Sequence, residues 1–380
     1  LISDAKIDPA VARECLIAVR DYASTTEITS QLYTLMKQYD GKDRHFLACI
    51  GIAVGTDPKR REAILADFGK HFPEWNEQVA GLVFELRPPG VVPLLAKQLA
   101  DAKKTDAQRL SLIDALATQE DPAAGPAALA VLKTGSTTVR GRVLEKLREL
   151  LPSRWAKLKT DPALADALKP LLADKETQRA ALEVIGSTGL ESLGATVRAL
   201  AQDGTSPGRT VAIATLGQLG GEENARLLTS LSRTEGIGPT AILALGELSR
   251  QTPKGTVETL AGFLKEGAAS RDAAVIALAA SREGSLRLIA LHTDKTLPSE
   301  SVAAAGRLLR SSPYPDIQKR AVSLFPAPGK MDPKKLPTVA ELSRRKGDVA
   351  RGRKLWEASL KSEVACAKCH MVAGKGGQIG

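Results

Sequence analysis

Three stretches of the chain repeat one pattern: RTVAIATLGQLGG at residues 209–221, PTAILALGELSR at residues 239–250 and RDAAVIALAASR at residues 271–282. Each has Ala and Leu at helical spacing and a small residue near its middle. Related stretches at residues 179–189 and 301–312 extend the series, with starts about 30 residues apart. Small residues at these points predict helices that cross closely. They are Gly186, Gly217, Gly246, Ala279 and Ala305.

Second helical patterns lie between these stretches, such as ENARLLTSLSR at residues 223–233 and KGTVETLAGFLK at residues 254–265. A helix pair every 30-odd residues is typical of a right-handed α-solenoid. One repeat cannot bury its apolar face alone, so the repeats must form a continuous stack. We therefore predict an all-α fold, with a HEAT-like α-solenoid over residues 1–325.

Asp-Pro pairs support the helical interpretation. Each precedes an apolar helical pattern, where Asp favours the N-cap and Pro fits the first helical position. No alternating run of β-branched residues predicts a sheet in this region. The four pairs begin at Asp8, Asp57, Asp121 and Asp161.

Amino-acid composition limits the kinds of core and membrane association that the chain can have. Hydrophobic residues make up 43% and aromatic residues 3%, so the core must consist mainly of Leu, Ala, Val and Ile. No run approaches the roughly 18 apolar residues that a membrane-spanning helix needs, so no membrane span is predicted. The first residue is not Met and no signal segment follows. We expect a piece cut from a longer protein at both ends.

The helical pattern breaks at residues 325–337, FPAPGKMDPKKLP, which contain four prolines. We predict a Pro/Lys-rich linker with a short helix over residues 326–346. A last unit then begins at residue 347. Its first part, GDVARGRKLWEASL, predicts a helix with Asp348 as N-cap.

The last unit carries the chemistry, in the sequence CAKCH at residues 366–370. Two thiols three positions apart can each form a thioether with a haem vinyl group, and the adjacent imidazole can bind the iron. This spacing predicts covalent c-type haem at Cys366, Cys369 and His370. Two alternatives remain: a structural zinc site, which needs four ligands, and a thioredoxin-like motif, which needs a βαβ context.

The sequence G-D-x-x-R-G-x-x-L-W, then C-x-x-C-H, then GKGGQIG resembles the opening of a cytochrome c-like domain. It is most similar to the haem-binding domain of large secreted proteins from planctomycete and verrucomicrobial bacteria. In that family a sugar-dehydrogenase-like propeller often precedes HEAT-like repeats and the haem domain. YDGKDRHFLACIGIA at residues 39–53 and WNEQVAGLVFELRP at residues 75–88 also resemble its helical segment.

The resemblance implies roles for five residues. Cys366 and Cys369 are the haem-linking thiols, and His370 is the proximal ligand of the iron. Gly352 lets the first cytochrome helix touch the last, and Trp356 stands where the family usually has Phe or Tyr.

Residues 347–380 are thus expected to be the N-terminal part of an incomplete haem domain, without the distal Met and closing helix of the family. Met371 is too close to His370 to reach the opposite haem face, and Met331 is a remote alternative. The sixth position of the iron is therefore expected to be open.

The expected function is electron transfer through haem c on a HEAT-repeat scaffold. The partner is a redox protein or a dehydrogenase domain outside this segment, and the resemblance implies a periplasmic or secreted location. No catalytic constellation is present in the segment itself. The alternative is a scaffold whose concave face binds a protein or polysaccharide, with the haem motif unloaded.

Charge is concentrated at the C-terminal end. The chain has a formal net charge of +10, of which residues 330–380 contribute +7. This region is either a solvated basic linker or a positively charged surface that attracts an acidic redox partner. Nucleic-acid binding is not predicted, because the sequence has no recognisable nucleic-acid-binding module and no aromatic residues interspersed among the basic ones. The remaining His and Cys residues are predicted to have ordinary structural places: His45, His71, His292, Cys15 and Cys49.

Overall fold

The computed structural model describes residues 7–252, 255–325, 338–344, 346–359, 369–372 and 375–376. The chain divides into two compact units, Leu1–Pro326 and Ala327–Gly380. Most of the predicted linker and Cys366 lie outside the described residues.

The described part of the first unit consists of α-helices joined by short turns. Three 3₁₀ helices interrupt the series at Ala156–Thr160, Lys169–Leu172 and Glu191–Leu193. The helices are α1 (Pro9–Val19), α2 (Thr26–Met36), α3 (Arg44–Val54), α4 (Pro58–Leu65), α5 (Phe68–His71), α6 (Glu77–Leu86), α7 (Val92–Ala100), α8 (Asp106–Thr118), α9 (Ala124–Thr134), α10 (Thr137–Leu150), α11 (Pro162–Leu168), α12 (Gln178–Thr188), α13 (Gly194–Gln202), α14 (Arg209–Leu219), α15 (Glu222–Leu231), α16 (Gly238–Ser249), α17 (Thr256–Phe263), α18 (Ala268–Ala279), α19 (Arg282–Thr293), α20 (Ser299–Arg310) and α21 (Pro315–Leu324).

Most of the described residues of the second unit lie in two helices and a short pair of strands. The unit contains α22 (Val339–Arg344) and α23 (Val349–Ser359). Strands β1 (Met371–Val372) and β2 (Lys375–Gly376) pair antiparallel, with Met371 opposite Gly376.

The first unit is an all-α solenoid, as the repeats predict. In one layer each of α6, α8, α10, α12, α14, α16, α18 and α20 contacts the next, while α13, α15, α17, α19 and α21 pack against that layer. From α12 to α20, helices of the first layer start 29 to 31 residues apart. One apolar core runs from Ala12 to Phe325. Each repeat thus buries its apolar face against its neighbours.

The small residues lie where first-layer helices touch. A methyl group added at Gly217 would overlap the carbonyl oxygen of Ala244 on α16. One added at Gly246 would lie 2.7 Å from the Cα of Ala277 on α18. The prediction of close crossings is confirmed at these two positions.

Buried polar side chains also join neighbouring repeats. Gln178 on α12 is 4% exposed, and its amide nitrogen donates to the carbonyl of Leu172 at 2.8 Å. Its side-chain oxygen accepts from the backbone N–H of Gly208 at 2.8 Å, just before α14. Thr215 on α14 donates to the carbonyl of Leu182 at 3.2 Å. These bonds fix the register of α12 against α14, since breaking one leaves a buried polar group unpaired.

Three of the four Asp-Pro helix starts are confirmed. Asp8, Asp57 and Asp161 each accept a backbone N–H at the start of a helix. The fourth prediction is wrong, because α9 begins at Ala124 rather than directly after Asp121. The Asp121 carboxylate instead accepts the N–H of Ala123 at 2.8 Å and closes a turn before the helix.

Exchange of Gly217 for Ala tests the close helix contact. We expect Gly217→Ala to destabilise the protein by about 1–3 kcal/mol, because α14 and α16 must move apart. The matched control is Gly141→Ala on α10, where no atom lies within 4 Å of the added methyl group. That change should stabilise by about 0.5–1 kcal/mol through helix propensity. Urea unfolding followed by circular dichroism measures both, and equal effects of the two substitutions would refute the close-contact interpretation.

Candidate functional site: the C-x-x-C-H region

Helix α23 begins as the sequence predicts. The Asp348 carboxylate accepts the N–H of Arg351 at 3.0 Å, and the Asp348 carbonyl accepts the N–H of Gly352 at 2.8 Å. Asp348 is therefore the N-cap, which satisfies donors that the first helical turn leaves free. The helix carries Gly352 and Trp356 one turn apart.

The described residues leave the surface of α23 around Gly352 open. None of their atoms lies within 4 Å of the position that a side chain on Gly352 would occupy. Val349 is 81% exposed and Leu355 is 64% exposed. The described residues thus leave an apolar helix surface uncovered beside a glycine.

Trp356 is half-buried, and its indole nitrogen has an unusual environment. The Nε1 atom is buried and has no hydrogen-bond partner among the described residues. The hydroxyl of Ser359 donates to the Trp356 carbonyl at 2.6 Å, which fixes the last turn of the helix. A buried donor without an acceptor costs about 1–3 kcal/mol. Within the described residues, the Trp356 N–H group therefore lacks an acceptor.

Cys369 and His370 lie side by side immediately before β1. The Cys369 thiol is free and exposed, and His370 is also exposed. The pair Gly352–Trp356 is on α23, and no hydrogen bond or ring contact joins the two pairs in the described structure. A free thiol followed by an accessible imidazole is a donor set that fits a covalently attached haem.

Among the residues that the structure describes, no cluster of three or more His, Cys, Asp or Glu side chains could hold a metal ion. Cys15 is half-buried and Cys49 is buried, both as free thiols in the solenoid. Burial raises the pKa of the Cys49 thiol.

Two other histidines have packing roles. His71 stacks on Tyr33 with ring centroids 3.7 Å apart, and burial, together with Lys37, lowers the pKa of its imidazole. His292 stacks on Phe325 at 4.1 Å, and its Nε2 lies 3.1 Å from the Leu324 carbonyl at the end of α21.

A cleft in the first unit was not predicted from the sequence. It lies at the C-terminal ends of α3, α6 and α8, and Thr56, Arg87 and Gln119 are among its lining residues. Arg87 has a positive φ of 44°, which is unusual for a residue other than glycine. The sequence RPPG at residues 87–90 signals a turn there, but it does not reveal that three helix ends meet.

Comparisons with known proteins leave the family open. No protein-family model matches the chain, and no curated protein matches it. The solved structures that it resembles include a crystal structure described as an engineered protein, a structural genomics target, with 16% identity and a TM-score of 0.40. That match covers 83% of this chain and 93% of the other. Similarity at this level carries no argument about function. Among the described residues, every helix is too short or too polar to cross a bilayer.

Thiol accessibility can be measured directly. In protein without haem, we expect iodoacetamide to alkylate Cys369 at least about tenfold faster than Cys49, because Cys49 is buried and its thiol pKa is raised. Peptide mapping by mass spectrometry gives the two rates. Equal rates would mean that Cys369 is shielded or that the core around Cys49 opens readily.

Proposed function

We propose that this chain transfers electrons through a c-type haem attached at Cys366, Cys369 and His370. The observation that supports the proposal most directly is the exposed, free Cys369 thiol next to the accessible His370 imidazole. Both belong to the C-x-x-C-H motif, whose spacing suits haem attachment. Cys366 completes the motif in the sequence.

Each residue has a distinct role in this proposal. The thiols of Cys366 and Cys369 add across the two vinyl groups, so that each S–H hydrogen moves to a vinyl carbon and a thioether forms. The His370 ring presents a nitrogen lone pair to the iron. The chemistry that haem supplies when bound is a one-electron change of its iron between the ferric and ferrous states.

Helix α23 would support the site. Among the described residues, Trp356 has an apolar ring and an indole N–H without an acceptor, and none lies within 4 Å of a side chain added at Gly352. Burial and hydrogen bonding around the group would tune its reduction potential.

The solenoid is the scaffold in this proposal. Its partner is a redox protein or a dehydrogenase domain outside this segment, as in the planctomycete and verrucomicrobial proteins that residues 347–380 resemble. Covalent haem attachment in that family implies a periplasmic or secreted location. The basic residues between 330 and 380 would favour an acidic partner surface.

The alternative function is that of an interaction scaffold, in which no haem is attached to the C-x-x-C-H motif. Leu243 on α16 is 43% exposed and Ile276 on the adjacent α18 is 46% exposed. Exposed apolar residues on neighbouring helices of a solenoid favour a protein ligand.

Production with the haem-attachment machinery separates the two functions. We expect a Soret-absorbing group that remains with the chain after denaturing electrophoresis, and its loss in the double variant Cys366→Ser/Cys369→Ser. A colourless wild-type protein would contradict the proposal and favour the scaffold.

The role of His370 has its own test. In loaded protein, His370→Ala should keep the thioethers but change the ferric and ferrous absorption spectra, because the iron loses a nitrogen ligand. The matched control is His45→Ala, an exposed histidine at the start of α3 that should leave both spectra unchanged. A His370→Ala spectrum identical to that of the wild type would rule out His370 as the iron ligand.

A further inference from the structure

Helix α23 of the second unit has an apolar side that the described residues leave largely uncovered. Val349 is 81% exposed and Leu355 is 64% exposed. Gly352 lies between them on the helix surface, and Trp356 lies beside Gly352. With about 100° of rotation per residue, these four residues cover about 120° of the helix circumference. This is the width of the apolar stripe by which a helix packs on an apolar surface.

Basic residues border this apolar side along both edges. Arg353 lies about 40° beyond Val349 on one edge, and Arg351 lies about 40° beyond Leu355 on the other. Both arginines are exposed, and neither forms a salt bridge with another described residue. A long arginine side chain can lay its apolar stem along the edge of the stripe and keep its charge in water or at an anionic group. Apolar and charged groups are thus segregated around α23.

The charge of the second unit suits an anionic surface. Residues 330–380 contain twelve Lys or Arg residues and five Asp or Glu residues, a net charge of +7. Two of the acids serve inside the unit. The Glu341 carboxylate accepts the N–H of Thr338 at 2.6 Å, and the Asp348 carboxylate accepts the N–H of Arg351 at 3.0 Å. Besides the two arginines that border the stripe, the exposed basic side chains include those of Arg344, Lys346 and Lys354.

An apolar stripe bordered by basic residues is typical of helices that lie in the interface between a lipid bilayer and water. There the apolar side chains enter the acyl region, and the basic side chains contact anionic headgroups. Trp356 suits the same position, because indole rings concentrate at the level of the headgroups. A purely acidic protein surface would engage the arginines but would leave Val349 and Leu355 exposed. The combination of charge and apolar exposure therefore favours a lipid surface.

We propose that the second unit binds anionic lipid bilayers through α23. Val349 and Leu355 enter the outer acyl region, and Arg351 and Arg353 contact lipid phosphate groups. The helix lies along the surface, since its 11 residues extend only about 17 Å, about half the thickness of the hydrocarbon core. The proposal does not depend on haem attachment, because none of these four side chains belongs to the C-x-x-C-H motif.

Co-sedimentation of the full chain with lipid vesicles tests the proposal. Vesicles of phosphatidylcholine alone are compared with vesicles in which about 30% of the phosphatidylcholine is replaced by the anionic lipid phosphatidylglycerol. We expect the partition coefficient to be at least about tenfold higher for the anionic vesicles and to fall as the salt concentration rises. Equal partition to the two kinds of vesicle, or no partition to the anionic ones, would overturn the proposal.

Double variants locate the contact on α23. Val349→Gln/Leu355→Gln should lower the partition to anionic vesicles by about fivefold or more, because the apolar contact is lost. Arg351→Gln/Arg353→Gln should lower it by about tenfold or more, because two charges leave the headgroup region. Arg351→Lys/Arg353→Lys keeps both charges and should partition like the wild type. Glutamine is a good helix former, and amide hydrogen exchange of α23 shows whether the helix persists in each variant.

Matched controls lie on the solenoid. Val322→Gln removes an exposed valine from α21, and Arg307→Gln/Arg320→Gln removes two exposed arginines from α20 and α21. Both controls should change the partition coefficient by less than about twofold, because these side chains lie outside the second unit. Wild-type partition of either glutamine double variant of α23, or an equally large effect of its control, would contradict the proposal. Dependence on the arginines alone would indicate a purely electrostatic contact, such as an acidic protein surface makes.

Discussion

Helices α14 and α16 approach so closely at Gly217 that a methyl group there would overlap the carbonyl oxygen of Ala244. The same contact recurs between α16 and α18 at Gly246, one repeat further along. Backbone-to-backbone packing of this kind leaves little space for water, and apolar residues between the helices such as Leu216 and Leu245 are buried. Because each repeat contacts only its neighbours, the stability of the solenoid is the sum of such local interfaces.

The helices and their repeat were predictable because they depend on short-range patterns. Ala and Leu at helical spacing and a small residue every 26 to 33 positions are visible in residues 179–312, and Asp stands before Pro at earlier helix starts. The start of α9 was not predictable, because Asp121 can close a turn as well as cap a helix. Hydrogen bonds between repeats, such as the one from the Gly208 N–H to the Gln178 side chain, depend on three-dimensional position. The spacing of residues in the sequence does not predict them.

The haem motif and the cleft also differ in how far the sequence predicts them. Cys366, Cys369 and His370 form a short motif, so haem attachment is predicted for them before any fold is known. The cleft around Gln119 brings together residues 56, 61, 87 and 119, which are far apart in the sequence. Only the stacking of α3, α6 and α8 places them on one surface. Arg87 gave a weak local signal, because its conformation is set by the helix end and the prolines after it.

The central claim is that the solenoid folds without the second unit, in which the proposed haem motif lies. The most direct measurement compares the thermal melt of the full chain with that of a chain ending at Phe325, both followed by circular dichroism. The account predicts a cooperative melt in both, with midpoints within about 2 °C, because the core between Ala12 and Phe325 is complete. A loss of cooperativity, or a fall of about 10 °C or more in the shortened chain, would contradict it.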